Sequence, residues 1–240
     1  MTRPAKPRAV RQFDSEVALC AAFIDWLKKW PEWTPYAETE GWDILLVHAD
    51  GTQIGIQAKL KFNMAVLQQS IESGYGWHET GPDYRAVLVP EDFGVREICD
   101  ALGLTLIRSR KLYGDRIEFA PDFSDRSHER WHYQNPGKRC PLPTYVPDVP
   151  AGASGPVALT RWKVAALQIS AVLEIRGWVT RTDFRVAGID HRRWIETWLE
   201  PVPDQPGRWR WRDGKCESFS AQHPTVYPRV LADIRERALA

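Results

Sequence analysis

Several things this chain lacks narrow its possibilities. Its four cysteines (Cys20, Cys99, Cys140 and Cys216) are widely spaced and form no CxxC pair, which argues against a zinc ribbon or a disulfide framework. Two of them fall within apolar helical patterns, where a free cysteine behaves as a small hydrophobe. No apolar run approaches the length needed to cross a bilayer. The start, MTRPAKPRAVRQ, is charged without a following apolar stretch, so it is not a secretory signal, and a cytoplasmic location is expected. There is no Gly-rich phosphate loop, no Ser/His/Asp arrangement and no internal repeat.

Excess charge is missing too. Across 240 residues the net charge is +1, yet the chain is uneven: residues 157–240 carry +4 and the remainder −3. A basic C-terminal part beside an acidic N-terminal part suits a DNA-holding domain joined to a carboxylate-bearing catalytic one. Between Gln134 and Val157 stand six prolines, the composition of an interdomain linker. The expected organisation is a basic arm at 1–12, a catalytic domain at 13–133, a linker at 134–157 and a second domain at 158–240.

Apolar periodicity gives the elements of the first domain. Asp14-Ser15-Glu16 marks a helix start, and Val17, Cys20, Ala21, Ile24 and Leu27 recur at helical spacing until Pro31. A short strand follows near Thr34–Glu38. Two apolar runs then flank Ala49-Asp50-Gly51 as a β-hairpin. Asn63 caps a helix to about Ser73, Tyr84–Pro90 is a buried strand, Val95–Leu102 a helix, and Leu104–Ile107 a strand. This order describes a mixed sheet with helices on its faces.

Hairpin parity decides which polar residues meet. A two-residue Asp50-Gly51 loop turns Asp43 away from Gln57 and Lys59. A three-residue loop of Ala49, Asp50 and Gly51 sets Asp43 opposite Gln57, with Lys59 on the same face. A type I turn closing on a left-handed glycine needs that glycine where Gly51 stands, so the longer loop is predicted. Asp43 and the Gln57 carbonyl are hard oxygen ligands suited to a divalent cation. An adjacent Lys59 can orient water and stabilise charge on a phosphate.

These residues and this element order resemble the PD-(D/E)xK, or restriction-endonuclease-like, nuclease superfamily over roughly Ser15 to Arg108. The resemblance implies an acid at the start of the second strand, here Asp43, and (D/E/Q)-x-K on the third, here Gln57-Ala58-Lys59. It implies a further glutamate from the first helix or the first strand, Glu16 or Glu38, and a glutamine on the following helix, Gln68. The expected cofactor is Mg2+ or Mn2+, the substrate DNA, and a homodimer the form that cuts two strands. Gln57 stands where most members carry an acid, which removes one negative charge from the site and weakens its hold on a cation.

In the second domain, Thr160 caps a helix ending at Arg176-Gly177, Thr180 with Asp183 forms a capping box for a helix ending at Gly188, and Asp190 caps a third to Trp198. Arg208-Trp-Arg-Trp-Arg212 alternates like a strand, and a last helix spans about Tyr227–Leu239. The series resembles a winged helix-turn-helix. That resemblance implies DNA contacts from His191, Arg192 and Arg193 on the third helix and from Arg208, Arg210 and Arg212 on the wing. Cations in a helix's first turn oppose its dipole unless an anion lies nearby, and a DNA phosphate is one.

The fold class expected is therefore α/β, a restriction-endonuclease-like mixed sheet flanked by helices plus a smaller winged helix-turn-helix domain. The function expected is a metal-dependent DNA endonuclease. A non-catalytic DNA-binding regulator and a protein-interaction adaptor of a phage or defence system are the alternatives. His128-Glu-Arg-Trp-His132 matches the HExxH zinc-protease pattern but runs into Asn135-Pro136 with no acid until Asp148, which argues against a protease.

Overall fold

A computed structural model describes residues 12–72, 80–91, 94–112, 116–123, 131–153, 159–212 and 219–239. The basic arm up to residue 11, and His128 and Glu129 of the HExxH pattern, lie outside the described residues. The chain forms two compact units, Met1–Leu142 with Pro150–Val157, and Pro143–Val149 with Ala158–Ala240. No described helix is long and apolar enough to cross a membrane.

The first unit is a mixed α/β structure. Helix α1 (Glu16–Leu27) starts where the extended Ser15 accepts the N–H of Ala18 at 3.1 Å, and its buried face is Leu19, Cys20, Phe23, Trp26 and Leu27. Strands β1 (Trp33–Thr39), β2 (Trp42–His48) and β3 (Gln53–Ala58) form an antiparallel ribbon. Helix α2 (Met64–Glu72) begins on Asn63, whose Oδ1 accepts the Val66 N–H at 3.0 Å. Strand β4 (Tyr84–Val89) lies parallel to β3, and after α3 (Arg96–Ala101) β5 (Thr105–Lys111) lies parallel to β4. Every residue of β3 is buried, and the six-stranded sheet runs in sequence order.

Its last strand, β6 (Ile117–Ala120), pairs antiparallel with β5 in a stretch where the sequence pattern fades. Only Phe119 of its four residues is buried, so no apolar alternation announces it. Phe119 and Phe123 instead join Phe23 and Trp26 in an aromatic cluster under α1.

The hairpin has the longer loop. His48 donates to the Thr52 carbonyl at 2.9 Å, Gly51 to the His48 carbonyl at 2.9 Å, and Gly51 is left-handed with φ 86°. Ala49, Asp50 and Gly51 are therefore the loop residues, as strand parity requires.

The proline-rich stretch is divided between the two units. Gln53 grips the backbone of Cys140 with both ends of its amide (2.9 Å each), and Arg139 pairs with the buried Asp83 at 2.8 Å, all in the first unit. Asp148 belongs to the second unit, while Gly152 returns to the first.

The second unit begins with α4 (Arg161–Arg176), capped by Thr160 and closed by Gly177 at φ 82°. The Thr180/Asp183 capping box opens α5 (Arg181–Ala187), which ends on the left-handed Gly188. Helix α6 (Arg192–Thr197) follows with His191 at its N-cap, and the Asp190 side chain accepts from the Arg192 N–H at 3.0 Å. The cap thus sits one residue later than the sequence suggests, with Asp190 still serving the helix end. Strands β7 (Leu199–Pro201) and β8 (Trp209–Trp211) form a hairpin, and Val179 exchanges two backbone hydrogen bonds with Trp209 (2.8 and 2.9 Å), adding a third short edge. The short α7 (Phe219–Gln222) and α8 (Val226–Leu239) complete the unit. One apolar cluster gathers Phe184, Trp194, Trp198 and Leu199; another joins Leu167 and Ala171 to Val226 and Val230.

Candidate active site

The site is built where β2 parts from β3. Their pairing runs from Val47–Gln53 to Ile44–Ile56 and ends there. Lys59 donates its backbone N–H to the Leu88 carbonyl of β4 at 3.0 Å, so the N–H of the preceding Ala58 points the other way, towards β2. It meets the carboxylate of Asp43, whose Oδ2 accepts it at 2.7 Å. Asp43 is thus wedged into the ladder itself, with its second oxygen forming no hydrogen bond to the described residues.

Lys59 extends to Glu16 in the first turn of α1, Nζ to Oε2 at 2.9 Å, and both side chains are only partly exposed. Cys20 follows one turn later on α1, fully buried. Glu38 arrives from the end of β1. Its backbone is left-handed (φ 48°), as are Glu40 (φ 52°) and Gly41 (φ 81°) in the turn to β2. A non-glycine residue held there costs roughly 1–3 kcal/mol, which the surroundings must offset. For Glu38 they do so through its Oε1, which accepts the N–H groups of Gly152 at 2.7 Å and Ala153 at 3.2 Å.

Glu16, Glu38, Asp43 and Lys59 share one electrostatic neighbourhood. Burial pushes the Asp43 carboxyl above its ordinary range, against the pull of the Ala58 N–H and Lys59, and Glu16 adds to the rise. Glu38 is raised by burial first and then by Asp43. Burial works against the Lys59 charge, but the Glu16 bond and the charges of Glu16 and Asp43 outweigh it and leave the ammonium held above its usual range. Burial and then Asp43, Glu38 and Glu16 push the Cys20 thiol up as well, so it stays protonated and inert as a nucleophile.

Three carboxylates therefore lie within the electrostatic reach of one ammonium, which contacts only Glu16, a charge balance that favours a further cation. The donor chemistry fits a hard divalent ion, since Oδ1 of Asp43, Oε1 of Glu16 and Oε2 of Glu38 make no hydrogen bonds among the described residues. The side chains are not closed around an ion: among the described residues no three His, Cys, Asp or Glu groups are arranged to hold a metal.

Gln57 is placed differently. It is buried, and its Nε2 donates to the Gly41 carbonyl at 2.6 Å. By the two-residue period it shares a face with Gly55, over which the Trp42 indole lies. It makes no hydrogen bond to Asp43, Lys59, Glu16 or Glu38. Of the three side chains expected to meet, Asp43 and Lys59 are near enough to influence each other's charge, and Lys59 bonds directly to Glu16 rather than to Asp43 or Gln57. Gln57 stays anchored to the β1–β2 turn, because β2 leaves the ladder just where direct opposition to Asp43 would begin. Gln68 lies on the exposed side of α2.

In the second unit the basic residues divide by task. Arg192 and Arg193 stand exposed at the start of α6, with no ion pair among the described residues, and Arg193 lies 5.7 Å from the Trp198 ring centre. His191 is 3.7 Å from Asp190. On the hairpin, Trp209 and Trp211 pack against the core, while Arg210 pairs with Glu200 at 2.9 Å. Arg212 donates to the Leu199 carbonyl at 3.0 Å, fastening the hairpin rather than extending from it. Arg208 and Arg176 both stack on Trp178, at 3.9 and 3.8 Å from the ring centre.

Comparison with protein-family models, curated proteins and solved structures gives no match. Sequence reasoning missed Cys20, Gly152 and Ala153 as parts of the site's surroundings. The one available signal was the small-residue run Ala151-Gly152-Ala153, which has the composition of a linker.

Proposed function

We propose that this chain is a metal-dependent DNA endonuclease of the PD-(D/E)xK type, with a winged helix-turn-helix as its DNA-holding unit. The observation that carries the reading is the wedging of Asp43 into the ladder at the point where β2 and β3 part, with Lys59 beside it and Glu16 bound to that lysine. A divergence of two central strands gives a carboxylate and an ammonium a shared opening at a sheet end, where a phosphodiester can approach.

In this reading Asp43 and Glu38 supply carboxylate oxygens to Mg2+ or Mn2+, with Glu16 the further acid and the Gln57 carbonyl a neutral oxygen. The ion, when bound, supplies Lewis-acid stabilisation of the phosphate and acidifies a water. Lys59 changes partner from Glu16 to the phosphate, where its charge stabilises the anion that builds up as the P–O bond breaks. Three helices followed by a β-hairpin, with Val179 as a third edge, support the winged-helix reading of the second unit. Arg192 and Arg193, without an ion pair among the described residues, support a phosphate partner. Two copies acting together would cut both strands.

A panel of single-stranded, duplex and branched DNA, incubated with Mg2+ or Mn2+, tests the activity. Metal-dependent cleavage by the wild type that disappears in Lys59→Ala is the expected result, and equal cleavage by both overturns the assignment. The existing pairings of Glu16 with Lys59, Asp43 with Ala58 and Glu38 with Gly152, which already occupy one oxygen of each acid, favour one second reading, a DNA-binding regulator without chemistry. Salt-sensitive DNA binding with no cleavage under any metal is its signature.

A further inference from the structure

Glu38 is held in place by a piece of chain 114 residues downstream. Its Oε1 receives two successive backbone N–H groups, from Gly152 and Ala153, a small concave anion-binding nest. Gly152 is left-handed at φ 73°, and a side chain there would be tight as well as strained: a Cβ would stand 3.0 Å from Cys20 Sγ and 3.1 and 3.2 Å from the backbone carbon and oxygen of Glu16, so those neighbours would have to give way. The segment therefore lies close against the turn of α1 that carries Glu16 while its amides hold Glu38.

We infer that Gly152 and Ala153 form a positioning clamp for the cation site, fixing one oxygen of Glu38 so that the other is free to serve as a ligand beside Asp43. The clamp's purpose rests on the nuclease reading. The left-handed backbone of Glu38 fits such a role. A carboxylate that only had to be solvated would not require a strained backbone and two dedicated amides. Outer partners that orient ligating carboxylates are worth roughly 10–100-fold in metal affinity, which sets the size of the effect.

The test uses the full chain and Mn2+ alone as probe, followed by calorimetry or by the electron paramagnetic resonance of free ion. Gly152→Ala is expected to weaken Mn2+ binding about 10-fold or more and to raise the Mn2+ concentration needed for half-maximal cleavage, with DNA affinity unchanged. In Glu38→Ala the added Gly152→Ala change should produce no further loss. If Gly152→Ala fails to fold, Cys20→Ala/Gly152→Ala, which removes the nearest obstructing atom, takes its place. Amide exchange reads the clamp without any metal: the Gly152 and Ala153 N–H groups should be protected in the wild type and exchange faster in Glu38→Ala.

Wild type that binds Mn2+ with a Gly152→Ala variant that binds it equally well overturns the clamp and leaves the nuclease reading standing. Amides that exchange freely in the wild type overturn the clamp in the same way. Wild type that neither binds Mn2+ nor cuts DNA, with both amides protected, overturns the nuclease reading and with it the purpose assigned to the clamp.

Discussion

The indole of Trp42 lies on the backbone of Gly55 so closely that a Cβ at position 55 would stand 2.4 Å from two of its ring carbons. Trp42 adjoins Asp43 in sequence, and Gly55 is two residues before Gln57, so this contact pins the strands immediately before they part. Gly55→Ala should destabilise the first unit by about 3 kcal/mol, the upper range for overpacking a core, because a rigid ring cannot step aside. Thermal unfolding would show it, and Trp42→Leu in the same chain should restore part of the loss. An unshifted melting temperature in Gly55→Ala would discard the contact.

Lys59→Ala should lower metal-dependent cleavage by a factor on the order of 100 or more, the cost of removing a charge aimed at the transition state. DNA binding should survive, since the proposed reading assigns it to the second unit. Gel shift and cleavage measured on the same preparation separate the two; joint loss of binding and cleavage would mean the lysine holds the fold or the DNA instead.

The raised carboxyls give a pH prediction with a definite sign. Asp43 and Glu38 bind protons more tightly folded than unfolded, so their contribution to stability is present at low pH and lost as pH rises through their folded values. At neutral pH Asp43→Asn should therefore be more stable than wild type by about 0.5–2 kcal/mol, while losing activity. The advantage should shrink on acidification. Denaturant melts at neutral and mildly acidic pH check this, and an advantage that grows in acid would reverse the assignment.

Asp148 behaves oppositely. Burial works against its charge, but hydrogen bonds from His223, Thr225 and Val226 outweigh it and hold the carboxyl below its usual range. Its contribution is present above the ordinary carboxylate range and lost as pH falls through the lowered value. Asp148→Ala should cost the second unit roughly 2–4 kcal/mol, removing a cap on α8 and the carboxylate that His223 meets, and should flatten that unit's response to acid. Amide exchange in α8 reports it directly; an acid response identical to wild type would mean that Asp148 does not govern it.

Among the arginines, Arg192→Ala/Arg193→Ala should weaken DNA binding and reduce the salt dependence by about two units of slope. Arg212→Ala should instead lower stability, because its guanidinium serves the Leu199 carbonyl. Affinity measured across a salt series distinguishes the two, and a large affinity loss confined to Arg212→Ala would invert the proposed division.

Much of the fold was legible because its signals are local. Ser15, Asn63, Thr160 and the Thr180/Asp183 pair cap helices through their own side chains, and Gly51, Gly177 and Gly188 stand at left-handed positions only glycine enters easily. Strand parity yields the loop of the hairpin by arithmetic. What stayed hidden is non-local. β6 has one buried residue in four and exists through pairing with β5. Gln57 is drawn to Gly41 by a hydrogen bond whose need arises only once β2 has left the ladder. Gly152 sits in a small-residue run that reads as a linker, and its fit is decided by Glu38 and α1 more than a hundred positions earlier.

The chain's passage from the first body to the second and back again bears on how such a gene can change. A break at any point between Leu142 and Val157 removes either Asp148 from the head of α8 or Gly152 from Glu38. Neither half can be traded to another protein at that seam without carrying away a part the other needs, so the pair should be inherited as one indivisible unit.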